Sequence, residues 1–140
     1  MASYLYYVKG YDVAVVDCDY PQFSLKDMRE RDLKNIERNP HLRRAAYEQF
    51  KRLGKRAYPI VGSRPDHAVE AARPFVESET PPDFVFFDLT GTVNNMGLIK
   101  TVATMDYIFC PIAADRFIME SSLKYAGILN DTLVTTGSRT

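Results

Sequence analysis

Two groups of acidic residues stand at the ends of apolar runs. Val15-Val16 leads into Asp17-Cys18-Asp19-Tyr20-Pro21-Gln22, and Phe86-Phe87 leads into Asp88-Leu89-Thr90-Gly91-Thr92. Carboxylates that converge repel one another, which is tolerated when a cation sits among them or one is protonated. A hard divalent ion such as Mg²⁺, held by one or two carboxylates together with phosphate and water, answers that need for the two clusters. The competing reading is structural: an aspartate at a strand end also caps helices and turns.

The elements that would position these acids are legible as alternating patterns. Four runs rich in β-branched and aromatic residues recur at 11–16, 57–61, 84–87 and 107–110. Three lack polar alternation, as strands covered on both faces do. Helix signals fill the intervals. Ser24 stands as an N-cap for a helix ending before Pro40. Leu42, Ala46, Phe50 and Leu53 recur at helical spacing up to Gly54. Ser63 with Pro65 opens a helix carrying Ala68, Ala71, Ala72 and Phe75. Asp115 opens the last helix, with Ile118, Met119, Leu123, Ala126 and Leu129 on a broad apolar face. Strands alternating with helices predict an α/β domain with a mostly parallel sheet and helices on both faces, three layers in all. Ligands of such sheets bind beyond the carboxyl ends of the strands, where both acidic groups fall.

Composition bounds the remaining possibilities. At 140 residues, with 46% apolar and 26% charged side chains, the chain is sized for a single globular domain over 1–140. No apolar run reaches the roughly 20 residues needed to span a bilayer, and the start lacks a signal-peptide pattern, so the cytoplasm is the expected compartment. Cys18 and Cys110 lie in apolar runs and are expected to be reduced and buried. His41 and His67 stand apart from the cysteines and each other, so no zinc-ligand spacing exists. Eighteen Lys/Arg balance eighteen Asp/Glu, yet the segment from Lys26 to Arg56 holds eleven bases against five acids. That local excess of +6 can meet phosphate backbones, although interspersed acids and few aromatics favour a solvated helix face.

Beyond the residues themselves lies a resemblance. Val13-Ala14-Val15-Val16-Asp17-Cys18-Asp19-Tyr20-Pro21-Gln22 resembles the apolar strand and Asp-x-Asp-x-x-Gln segment of ParA/MinD-type ATPases. Asp83-Phe84-Val85-Phe86-Phe87-Asp88 resembles their Walker B strand, and Met105-Asp106-Tyr107-Ile108-Phe109-Cys110-Pro111 the strand that follows. Order and spacing agree across most of residues 1–133, with 24–80 matched by pattern alone. Among such proteins the chain looks most like the ParA-like ATPases of conjugative transposons.

The resemblance implies a P-loop NTPase-like fold, with ATP and Mg²⁺ as cofactors and a role in DNA partitioning or conjugative transfer. Asp19 would orient the hydrolytic water, Asp17 would lie near the magnesium, and Asp88 would hold its water shell. Thr90 and Gly91 would sit at the γ-phosphate switch, and Pro111 near the base. It further implies an ATP-bound homodimer, non-specific DNA contact and a partner partition or transfer protein.

One part of that pattern is absent. A phosphate-binding loop needs closely spaced glycines ahead of a lysine and a hydroxyl residue, whereas the glycines here stand at 10, 54, 62, 91, 97, 127 and 137. The expectation is a domain shortened at both ends, lacking the first strand and its loop. That strand would lie between the Asp88 and Tyr107 strands, so a gap in mid-sheet is expected, with weak or absent ATP hydrolysis. An inactive interaction module is the main alternative. Asp88-Leu89-Thr90-Gly91-Thr92 also imitates the haloacid-dehalogenase phosphatase signature, but Thr90 stands where the general acid belongs. Response-regulator receivers share an acidic pocket, yet their acids are spaced more closely than Asp17 and Asp88, and no lysine ends the Tyr107 run.

Overall fold

The computed structural model describes residues 1–89, 96–111 and 114–135. It is an α/β arrangement built on a three-stranded parallel sheet. The elements run α1 (Ala2–Tyr7), β1 (Val13–Cys18), α2 (Ser24–Arg38), α3 (Pro40–Leu53), β2 (Ile60–Gly62), a 3₁₀ turn (Pro65–His67), α4 (Ala68–Val76), β3 (Phe84–Leu89), α5 (Met96–Ala103) and α6 (Arg116–Thr135). The strand order is β2-β1-β3, which puts β1 at the centre.

The β-branched composition of β1 suits a strand packed on both faces, and all six of its residues are buried. Because side chains alternate along a strand, its two faces feed two cores. Val13 and Val15 pack with Tyr6 of α1 and with Tyr58. Val16 and Cys18 pack with Ala68 and Ala72 of α4. The small alanines let α4 approach the sheet closely. A third cluster joins Leu98 and Val102 of α5 to Leu129 and Leu133 of α6. Full burial of an aliphatic side chain stabilises by about 1.5–3 kcal/mol, so β1 and its covers dominate the apolar stabilisation.

Several expectations hold and several need correction. Helix α3 ends at Gly54, whose φ of 62° is the left-handed conformation glycine adopts freely. Asp115 caps α6, its Oδ1 accepting the Phe117 and Ile118 amides. Both cysteines are free, Cys18 buried as expected and Cys110 only partly so, and burial, then Asp17 and Asp88, push the Cys18 thiol up to about 12, so it stays protonated.

Ser24 does not cap α2. It is the first helical residue, and the N-cap position belongs to Phe23 in the left-handed region. Ser63 likewise caps nothing; its hydroxyl donates to the Arg64 carbonyl. The apolar face expected along α6 is covered only toward its C-terminal half, where Leu129 and Leu133 are buried, while Ile118, Met119 and Leu123 are exposed.

The fourth apolar run is not a strand. Residues 107–110 make no ladder, and Tyr107 and Phe109 are exposed. Among the described residues β3 pairs along one edge only, with β1, and the 1–11 segment is α1 and a loop rather than an added strand. A strand needs a partner edge for its N–H and C=O groups, and composition alone does not provide one. No helix of the described residues is long and apolar enough to cross a membrane.

Candidate functional site at the carboxyl edge of the sheet

Parallel pairing of β1 with β3 sets Asp17 directly opposite Asp88. Neighbouring strands lie about 4.8 Å apart, and register partners project to the same face, so these two acids emerge side by side beyond the core formed by Val15 and Phe86. Asp19 follows two residues on, at the start of the turn into α2.

The three carboxylates have different surroundings. Asp17 has no exposed surface. Its Oδ2 accepts the backbone amides of Leu25 and Lys26, each at 3.0 Å, and its Oδ1 accepts the Asp19 amide at 3.1 Å. Asp17 therefore caps α2 from the end of β1, taking up amides that Phe23 cannot serve, and the helix dipole favours its negative charge. Asp19 is half-buried; its Oδ2 accepts the Ser24 hydroxyl at 3.0 Å and its carbonyl accepts the Phe23 amide at 2.8 Å. Asp88 is exposed, and its carboxylate accepts no hydrogen bond from the described residues. Its pKa is raised, first by desolvation where it backs onto the sheet and then by the Asp17 and Asp19 charges. No basic side chain forms an ion pair with any of the three acids among the described residues.

The turn between β1 and α2 is tightly built. It contains a cis Tyr20–Pro21 peptide and Phe23 at φ 48°. Gly62, the register partner of Asp17 on β2, lies under the Phe23 ring, and a Cβ there would come within 3.0 Å of two ring carbons. A side chain there would require the Phe23 ring to give way by a few tenths of an ångström. The Ser63 amide donates to the Asp17 carbonyl at 2.8 Å, so β2 also holds this strand end.

Of the residues singled out from sequence, Asp17, Asp19 and Asp88 come together. Thr90 and Gly91 lie outside the described residues. Pro111 is exposed, and its carbonyl accepts the Ser122 hydroxyl of α6 at 2.9 Å. The described residues contain no group of three or more His, Cys, Asp or Glu side chains arranged to hold a metal ion. With Asp17 occupied by amides, the donor set at this edge is one or two carboxylates, which suits Mg²⁺ completed by phosphate and water but not a cation that needs an all-protein cage.

Sequence reading missed the partners of Asp17. The capping amides belong to Leu25 and Lys26, whose side chains say nothing about the bond, and the available signal was the lack of any good capping residue at position 23. Comparison with protein-family models, with curated proteins and with solved structures finds no match to this chain.

Proposed function

We propose that the chain is a ParA/MinD-like α/β unit whose sheet edge serves Mg²⁺-dependent handling of ATP phosphates. The observation that supports this reading is that Asp19 and Asp88 stand beside the amide-bound Asp17 at one edge of a parallel sheet with no basic partner among the described residues, and desolvation, then the Asp17 and Asp19 charges, raises the Asp88 pKa. A bound Mg²⁺ would supply charge neutralisation for phosphate oxygens, which is most of what phosphoryl transfer asks of a protein. Asp88 and Asp19 are the residues able to hold it. Asp19, oriented by Ser24, would also position a water, and Asp17 acts as a positioning residue by fixing the start of α2 and the Asp19 amide.

In this reading Thr90 and Gly91 serve the γ-phosphate and Pro111 the base, as the resemblance implies, and ATP favours a homodimer that engages a partition or transfer protein. The 140 residues hold no glycine-rich loop with its lysine, so ATP hydrolysis by this chain alone is expected to be weak or nil.

Calorimetric titration with ATP in the presence of Mg²⁺, repeated with EDTA, tests the reading. The expected result is a Mg²⁺-dependent heat that disappears in Asp88→Asn while the variant's fold is retained. Heat that is unchanged by EDTA, or no heat at all, would count against it.

A second reading, a non-catalytic interaction module, draws on the structural use of Asp17 and on the exposed Tyr107, Phe109 and Phe117, which are 80%, 66% and 79% accessible. Exposed aromatic groups of this kind suit a protein partner. A silent titration would favour this reading.

A further inference from the structure

The two outer strands of the sheet present different edges. The β2 edge is blunted: the strand is three residues long and Pro59 precedes it. Short strands and proline are ways in which an edge avoids pairing with another chain. β3 has neither device. Its Phe84-Val85-Phe86-Phe87 stretch holds no proline and no charge, and its pairing with β1 runs from Phe84 to Leu89 without a bulge. All six residues of β1 are buried, whereas every residue of β3 keeps accessible surface and Phe84 is 40% exposed.

Backbone directions follow from one bond. The Phe84 amide donates to the Asp12 carbonyl at 3.2 Å, so Phe84, Phe86 and Asp88 address β1. Successive residues of a strand turn their N–H and C=O groups to opposite sides, which sends those of Val85, Phe87 and Leu89 outward. Among the described residues these groups have no backbone partner. Unpaired peptide groups beside apolar side chains are a template for another extended backbone.

We infer that the outer edge of β3 pairs antiparallel with the same edge of a second copy of this chain, joining two three-stranded sheets into one, independent of nucleotide. The strand is complementary to itself. In an antiparallel pair the residues that exchange hydrogen bonds stand opposite one another, so the outward set must meet the outward set. That rule excludes the register that would face Asp83 of one copy with Asp88 of the other. Centred on Phe86, the pairing sets Val85 of each copy against Phe87 of the other, each pair exchanging two hydrogen bonds, and brings the Phe86 rings together. A two-fold contact of this kind closes at the dimer, whereas a head-to-tail contact need not close. The edges left at the ends of the joined sheet are the blunted β2 strands.

Sedimentation equilibrium of the full chain, in EDTA without nucleotide over about a hundredfold range of concentration, tests this. The mean mass should rise from 16.0 kDa to twice that value and no further. Val85→Pro removes an outward N–H that the folded monomer does not use, and Phe84→Lys places a charge on the edge. Each should weaken association at least about tenfold, with circular dichroism reporting the fold. Tyr47→Lys, on α3 and 65% exposed, should associate as the parent does. Amide exchange reads the geometry: the Val85 and Phe87 amides should become protected as the dimer fills and stay unprotected in Phe84→Lys. A monomer at every concentration, growth beyond the dimer, equal association of Phe84→Lys and the parent, or association only with Mg²⁺ and ATP would each overturn the inference.

Discussion

Asp17 and Asp88 are the same residue type, at the same register, on adjacent strands, yet they occupy opposite physical situations. Asp17 ends the central strand, is buried, and spends its oxygens on three backbone amides. Asp88 ends an edge strand, faces solvent on one side and is raised in pKa by the buried sheet behind it and by its acidic neighbours. The contrast shows that a strand-end carboxylate acquires its role from what the next element offers. At Asp17 the start of α2 lies within reach and the acid becomes a cap; Asp88 takes no amide of α2 among the described residues.

The largest effect expected from this contrast is at Asp17. Asp17→Ala leaves the Leu25 and Lys26 amides without their acceptor and should cost about 2–4 kcal/mol in urea unfolding, whereas Asp88→Ala should stay within about 0.5 kcal/mol. Comparable losses at the two sites would erase the distinction.

Next in size comes a test of the two apolar runs that sequence treats alike. Val16 is 0% exposed at the centre of β1, whereas Phe109 is 66% exposed in the 107–110 run. Val16→Ala should cost about 2 kcal/mol through lost burial and a residual cavity, and Phe109→Ala should be close to neutral despite removing a larger side chain. A large cost at Phe109 would mean that the run is packed.

The smallest effect has a defined sign. Asp88 binds its proton more tightly folded than unfolded, so its contribution to stability is present below the ordinary value of 3.8 and is lost as pH rises through its raised folded pKa. At neutral pH the ionised group therefore opposes folding. Asp88→Asn should raise stability there by less than about 0.5 kcal/mol, since the group is exposed and screened, and the gain should fade on acidification. Thermal melts at pH 7 and below pH 4 read both parts.

Much of this was legible in the sequence. The unbroken apolar character of 13–16 identified a strand covered on both faces, and the strand ends at 17 and 88 identified the edge where acids gather. Gly54 and Asp115 marked helix ends because φ above zero and side-chain capping are local properties. What remained hidden depends on partners distant in sequence. Residues 107–110 have strand composition but no adjacent edge. Helix α5 was not anticipated, although Leu98 and Val102, four apart and both buried, carry its signature. The cap of α2 comes from Asp17, seven residues before the helix begins, instead of from the expected Ser24.

In the proposed arrangement Asp88 and Asp19 are free to hold a cation while Asp17 is held by α2. Mn²⁺ titrated into isotope-labelled protein tests it directly, because paramagnetic broadening reports where the ion sits. The account predicts selective broadening of amides around Asp19 and Asp88 that is lost in Asp88→Asn. Broadening centred elsewhere, or spread evenly over the surface acids, would contradict it.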